Sequence, residues 1–316
     1  MPNPAILTKK DAEKILSFRS KTINQKNTKI ELKKPSIEPK INSNFESNET
    51  AFPGHIFISL SLNLGKTEEK IQINTEEHFA LIRNEKVSFK ELEKTKEETF
   101  YTIIEGKVLA IELFGEDTNL YYKLKPTLDW PTIMLSSVPM HRFKTVSPKT
   151  SAQLMVKEIS PIKGIVLDCC CGLGYTSIIE ANEKDCEKVI VFEKDEHVLE
   201  MAKYNPYSNE LFTNPKINLF TKSVVEGIKK IENNSIDRIL HDPPTTSFGK
   251  ELYSIEFYRE LHRVLKPKGL FYHYCPNPGK TKGTNFWPTI EKMLKKSGFV
   301  NIHYHAESSG LVATKK

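Results

Sequence analysis

Hydrophobic and polar positions follow two rhythms along this chain, and the rhythm changes near residue 136. Between His55 and Leu113 apolar side chains recur at every second position, as in Ile56-Phe57-Ile58-Ser59-Leu60-Ser61-Leu62, Lys70-Ile71-Gln72-Ile73, Thr99-Phe100-Tyr101-Thr102-Ile103-Ile104 and Lys107-Val108-Leu109-Ala110-Ile111. Alternation of period two, broken by short turns such as Glu105-Gly106, predicts antiparallel strands. Residues 87–96 read as a short helix, so 52–135 is expected to form a small α+β or mainly β domain. Upstream, Thr8 can cap a helix with Ala12, Ile15 and Leu16 at helical spacing, which predicts a short helix over 8–20. The stretch 21–51 turns to Asn, Lys, Ser, Glu and Pro without a period and reads as a flexible polar linker, so 1–51 is expected to be that helix plus a connector.

From 136 to 316 continuous apolar runs alternate with helical stripes. Strands are expected over 164–168, 189–193, 217–220, 236–240 and 270–275, with a closing antiparallel pair over 300–305 and 310–314. Helices are expected from Ser147-Pro148, where serine caps and proline occupies the first turn, over 176–181, over 251–265 and over 287–297. The succession predicts an α/β domain, a doubly wound and mostly parallel seven-stranded sheet covered by helices.

The chemistry gathers at the ends of those strands. Val166-Leu167-Asp168-Cys169-Cys170-Cys171-Gly172-Leu173-Gly174-Tyr175-Thr176 is a buried strand stopping at an acid, a glycine turn, and the start of a helix. Gly172 and Gly174 have no Cβ, so the backbone can turn sharply and a ligand can approach its N–H groups. The first helical turn offers unpaired donors and a positive dipole end. The second strand ends in Glu193-Lys194-Asp195, about 20 residues later, where doubly wound nucleotide folds hold ribose hydroxyls with an acid; Glu193 is the candidate. The third strand ends near Ser223, and the fourth runs into His241-Asp242-Pro243-Pro244-Thr245. Ligands of open α/β sheets bind at such a shared edge.

Composition narrows the class. A chain of 316 residues, 38% hydrophobic and 27% charged, can build a core without covalent staples. It carries no apolar run of transmembrane length and no signal-peptide pattern, so a cytoplasmic protein without a membrane segment is expected. The five cysteines show no zinc spacing, and no metal is expected; they read as small buried residues of a reduced protein. Both ends are basic, with ten Lys/Arg against six Asp/Glu in 1–50 and seven against two in 277–316. Such ends can track phosphates, which brings RNA in as a partner.

The glycine stretch, Glu193 and Asp242-Pro243-Pro244 together resemble the class I, Rossmann-like S-adenosylmethionine-dependent methyltransferases. The tripeptide is similar to the Asp/Asn-Pro-Pro-aromatic motif of enzymes that methylate amino groups of bases or proteins. Met140-His141-Arg142, Asn205-Pro206-Tyr207 and Leu252-Tyr253-Ser254-Ile255-Glu256-Phe257-Tyr258 add a likeness to an archaeal group of predicted methyltransferases. The resemblance covers roughly 52–316. It implies S-adenosyl-L-methionine held by Asp168, Cys170, Gly172, Gly174, Glu193, Lys194 and Ser223, with Arg142 pairing with its carboxylate. It also implies an acceptor met by Asp242, Pro243, Pro244 and His141.

Three positions depart from that pattern. Cys170 stands for the first glycine of the loop, Lys222 and Ser223 for the adenine-binding acid, and Thr245 for the aromatic residue after the prolines. The function expected is methyl transfer to an amino nitrogen of RNA, or of a protein or small amine. Two alternatives stand beside it. One is an aminopropyltransferase that uses decarboxylated S-adenosylmethionine, with which 252–258 shares a look. The other is a non-catalytic RNA-binding module on the same fold. The loop Pro276-Asn277-Pro278-Gly279-Lys280 is expected at the same strand-tip edge.

Overall fold

A computed structural model of the chain describes residues 4–19, 54–275 and 286–316. The expected linker over 21–51 and the loop over 276–280 lie outside the described residues. The chain folds as two compact units, Met1–Ile111 and Glu112–Lys316.

In the first unit, α1 (Lys9–Leu16) opens with a capping box in which Thr8 Oγ1 accepts from the Asp11 N–H and Asp11 Oδ2 accepts from the Thr8 N–H. Strands β1 (His55–Leu60), β2 (Glu69–Asn74), β3 (Phe79–Ile82) and β4 (Glu85–Ser88) form one antiparallel sheet in sequence order. Their alternation turns Ile58, Leu60, Ile71, Ile73, Ala80, Ile82 and Val87 into one core with Ala12 and Ile15 of α1. The hairpin of β5 (Tyr101–Ile104) and β6 (Lys107–Ala110) closes the unit.

Three expectations change here. The helix expected over 87–96 is a single turn, α2 (Phe89–Leu92), because Val87 is buried as part of β4 and the Ser88 side chain caps the turn that begins at Phe89. The N-terminal helix is a wall of the core rather than an appendage of a linker. The divide falls at 111, not 135. The reason is that β7 (Glu112–Gly115), β8 (Leu120–Lys125), β9 (Thr132–Leu135) and β10 (Val138–Pro139) form their own antiparallel sheet within the second unit.

The second unit also carries α3 (Pro148–Glu158), β11 (Gly164–Asp168), α4 (Tyr175–Asn182), β12 (Cys186–Glu193), α5 (Glu196–Tyr204), α6 (Asn209–Thr213), β13 (Ile217–Thr221) and α7 (Val224–Gly227). After these come β14 (Ile236–His241), α8 (Ile255–Val264), β15 (Leu265–Tyr274), α9 (Trp287–Lys296), β16 (Phe299–His305) and β17 (Gly310–Lys315). The large sheet has seven strands in the order β13-β12-β11-β14-β15-β17-β16, parallel except for β17, which runs antiparallel to both neighbours. This is the doubly wound sheet the sequence predicts, with strand order reversing between β11 and β14. Helix α8 starts later than expected, since the Ser254 side chain caps it and a 3₁₀ turn over Lys250–Tyr253 precedes it.

One buried charge stands out in α4. Glu180 is fully buried, neither of its carboxyl oxygens meets a partner among the described residues, and burial pushes its pKa well above 4.5. A folded-state pKa above the unfolded one means stability is lost as pH rises from about 4.5 through the raised value. Glu180→Leu is therefore expected to stabilise the protein at pH 8, with a gain that shrinks toward pH 5; thermal melts across that range measure it.

Candidate active site

The glycine turn is built by backbone strain that only glycine tolerates well. Gly172 has φ of 53° and Gly174 has φ of 78°, both left-handed. A Cβ on Gly172 would lie 2.8 Å from Met140 Sδ, and one on Gly174 would lie 2.8 Å from Leu211 Cδ2. Beneath the turn, Asp168 is fully buried; its Oδ2 accepts from Thr176 Oγ1 at 2.7 Å and Ser177 Oγ at 2.6 Å. Its Oδ1 has no partner among the described residues. Asp168 thus ties the strand end to the first turn of α4.

The opposite side of the turn is held by Glu193 at the tip of β12. Its Oε2 accepts from the Gly172 N–H at 2.9 Å and its Oε1 from the Asp195 N–H at 3.0 Å, while burial raises its pKa. Above this edge opens a cavity of about 590 Å³, the size class of small-molecule sites. Cys170, Gly172, Glu193, Lys194, Ser223, Asp242, Pro243, Pro244, His141 and Arg142 all line it. Asp168 and Gly174 lie outside the lining and act through the turn they shape.

At the far wall, Asp242 faces the cavity with no hydrogen bond to any described residue. Burial and the Asp168 charge raise its pKa to about 7, against the pull of Arg142. The Pro243 carbonyl likewise accepts no hydrogen bond from the described residues. His141 packs tilted against Tyr175 with ring centroids 5.2 Å apart, places Nδ1 3.0 Å from Thr132 Oγ1, and is pushed down to about 4 by burial, so it is neutral at pH 7. Burial raises the pKa of the three loop thiols and keeps them protonated; Cys169 and Cys171 are buried and Cys170 is half-buried at the cavity wall.

Residues 143–277 match the family model described as "Methyltransferase small domain". The uncharacterized protein MJ1233 of Methanocaldococcus jannaschii is 40% identical over 264 residues, covering 82% of this chain and 89% of its own. The chain belongs to the family of MJ1233 and carries a methyltransferase small domain. A polyamine aminopropyltransferase of Clostridium acetobutylicum is 26% identical over 216 residues, covering 67% of this chain and 64% of its own. A spermidine synthase solved in complex with the transition-state analogue AdoDATO shares the fold with a TM-score of 0.52 and 17% identity, over 70% of this chain and 79% of that one.

Several features of this methyltransferase carry no signal in the sequence. The second sheet supplies Leu120, Leu135, Val138 and Pro139 to the cavity wall, and Tyr122 of β8 donates its hydroxyl to Asp195 Oδ2 at 2.7 Å. Arg142 does not stand free: Nη1 donates to Ser309 Oγ at 2.7 Å and Nη2 to Ser151 Oγ at 3.2 Å, leaving its buried Nε without a described partner. Lys194 reaches across the opening to the Phe248 carbonyl at 3.3 Å and Glu251 at 3.4 Å. Ser223 accepts from the Val225 N–H as the cap of α7, beside Lys222, which lies over the Phe220 ring. Thr245 is exposed at the cavity rim and its hydroxyl bonds to that of Ser247, so it brings no ring to an acceptor.

The two prolines have no N–H with which to fix themselves. Tyr253 does this for them, donating its hydroxyl to the Pro244 carbonyl at 2.8 Å from a ring packed near His273 and Phe286. Tyr253→Phe removes one hydrogen bond, about 1 kcal/mol of positioning. The expected result is a lower kcat with unchanged cofactor affinity, read by steady-state kinetics and calorimetry.

Proposed function

We propose that this methyltransferase modifies an amino nitrogen of RNA. The observation that carries the proposal is the pairing of an unpartnered Asp242 carboxyl with an unpartnered Pro243 carbonyl on one cavity wall. Two acceptors without a competing donor match the two hydrogens of an amino group. S-adenosylmethionine, when bound, supplies an activated methyl group with a neutral thioether as leaving group. Asp242 and the Pro243 carbonyl would accept the amino N–H bonds and so orient the nitrogen lone pair, and Asp242 takes the proton the nitrogen releases.

The cavity suits the cofactor in three places. Gly172 presents backbone without a Cβ to the cavity, Glu193 keeps carboxylate lone pairs for the ribose hydroxyls, and Arg142 presents an unpartnered Nε for a carboxylate. Val198, Val224, Phe192 and Leu252 provide apolar contacts for a base.

The likeness to aminopropyltransferases supports a second reading, with a decarboxylated donor and a polyamine acceptor. The charges of the cavity favour the first. Asp195 already accepts from Tyr122 and the first turn of α5, Glu251 pairs with Lys194, and Glu193 braces the loop. Asp242 alone is left for a cationic acceptor, close to the Arg142 charge. Incubating the protein with methyl-labelled S-adenosylmethionine and total RNA, total protein or small amines tests the acceptor. Label on RNA amino groups is expected, and label confined to protein or polyamine would overturn it.

A further inference from the structure

In enzymes of the tripeptide type an aromatic residue comes after the prolines, yet here Thr245 is exposed and turned to Ser247. An aromatic ring reaches the same cavity from the neighbouring strand instead. Register pairs His241 of β14 with His273 of β15, so Tyr274 stands beside Asp242 at the sheet edge. Tyr274 lines the cavity and its hydroxyl bonds to no described residue. Its backbone is fixed by pairing with Gly310 and by a 2.7 Å contact between its carbonyl and His273 Nδ1. Its ring is fixed by the Arg142 guanidinium, 5.8 Å from the ring centroid, which is in turn held by Ser309 and Ser151.

A ring immobilised from strand, loop and helix, with its hydroxyl unused, presents a rigid flat surface next to the two amino-group acceptors. Every nucleobase has a π face that such a surface can bind, while an alkyl ammonium could meet it only by a cation–π attraction that the Arg142 cation already on the ring opposes. One stretch of the wall is apolar, from Leu135, Val138, Pro139 and Met140, and Lys194 and Lys222 elsewhere in the lining repel a chain bearing several positive charges.

Resting on the methyltransferase reading above, we infer that Tyr274 takes the place of the missing motif aromatic: it binds the ring of a nucleobase whose exocyclic amine meets Asp242 and Pro243. The site thereby selects planar aryl amines over the alkyl amines of lysine or polyamines.

The test compares wild type, Tyr274→Leu and Tyr274→Phe, using total RNA from cells lacking the gene as substrate, protein from the same cells as the competing fraction, and calorimetric titration of S-adenosylmethionine on each variant. Leucine keeps an apolar side chain but removes the π face, and is expected to raise KM for RNA roughly ten- to a hundredfold. Phenylalanine is expected to rescue most of that loss, and cofactor affinity stays the same in all three. Leucine and phenylalanine variants with equal KM, or label found only in protein, would overturn the role of Tyr274 while leaving methyl transfer intact. Failure of the wild type to bind the cofactor would remove both.

Discussion

Asp242→Asn is expected to slow methyl transfer on the order of a hundred- to ten-thousandfold, the usual span for a lost proton acceptor. The variant keeps size and polarity but cannot take a proton from the acceptor nitrogen. Wild-type kcat/KM should carry the signature of the same group. With the carboxyl pKa raised to about 7, the active carboxylate is lost as pH falls, so the rate drops about tenfold per pH unit below that point and levels above it. The asparagine variant should show no such limb. Stability supplies the control for misfolding. A carboxyl whose pKa rises from 3.8 to about 7 on folding costs stability as pH climbs through that window, so Asp242→Asn should melt higher than wild type at pH 8. An inactive but more stable variant is the mark of a group kept for function.

Gly172→Val is expected to abolish measurable cofactor binding. A β-branched residue at φ of 53° costs about 1–3 kcal/mol of backbone strain. Its side chain would also meet Met140 Sδ, which sits 2.8 Å from the first added carbon. Relieving that contact swings the Met140 side chain, itself part of the cavity wall, or moves the turn. Calorimetric titration against the folded variant, checked by its melting transition, measures the effect. A variant that binds as tightly as wild type would show that the turn does not frame the donor site.

Local rules make part of this site legible. The apolar run into Asp168, the two glycines and the acid closing β12 are each set by interactions within a few residues, and the strand-turn-helix appears where expected. The tripeptide is readable for the same reason, since proline dictates its own backbone. The features that escape are set by distant partners. The strands over 120–125 and 132–135 find their places through partners distant in sequence, so by pattern alone Tyr122, Leu135 and Val138 have no tie to the nucleotide fold. Tyr253 reads as one apolar position in the approach to a helix stripe; only the fold brings its hydroxyl to Pro244. Arg142 stands out in its motif, but the serines at 151 and 309 that hold it are joined to it by no sequence signal. Glu180 lies on a short helix where a solvated face is the natural reading.

Calorimetric titration of the intact protein with S-adenosylmethionine tests the central claim most directly, with decarboxylated S-adenosylmethionine as the second arm. The expected result is one site per chain for S-adenosylmethionine, with weaker binding of the decarboxylated form because Arg142 loses its carboxylate partner. Tighter binding of the decarboxylated form would favour aminopropyl transfer, and no binding of either would contradict the account.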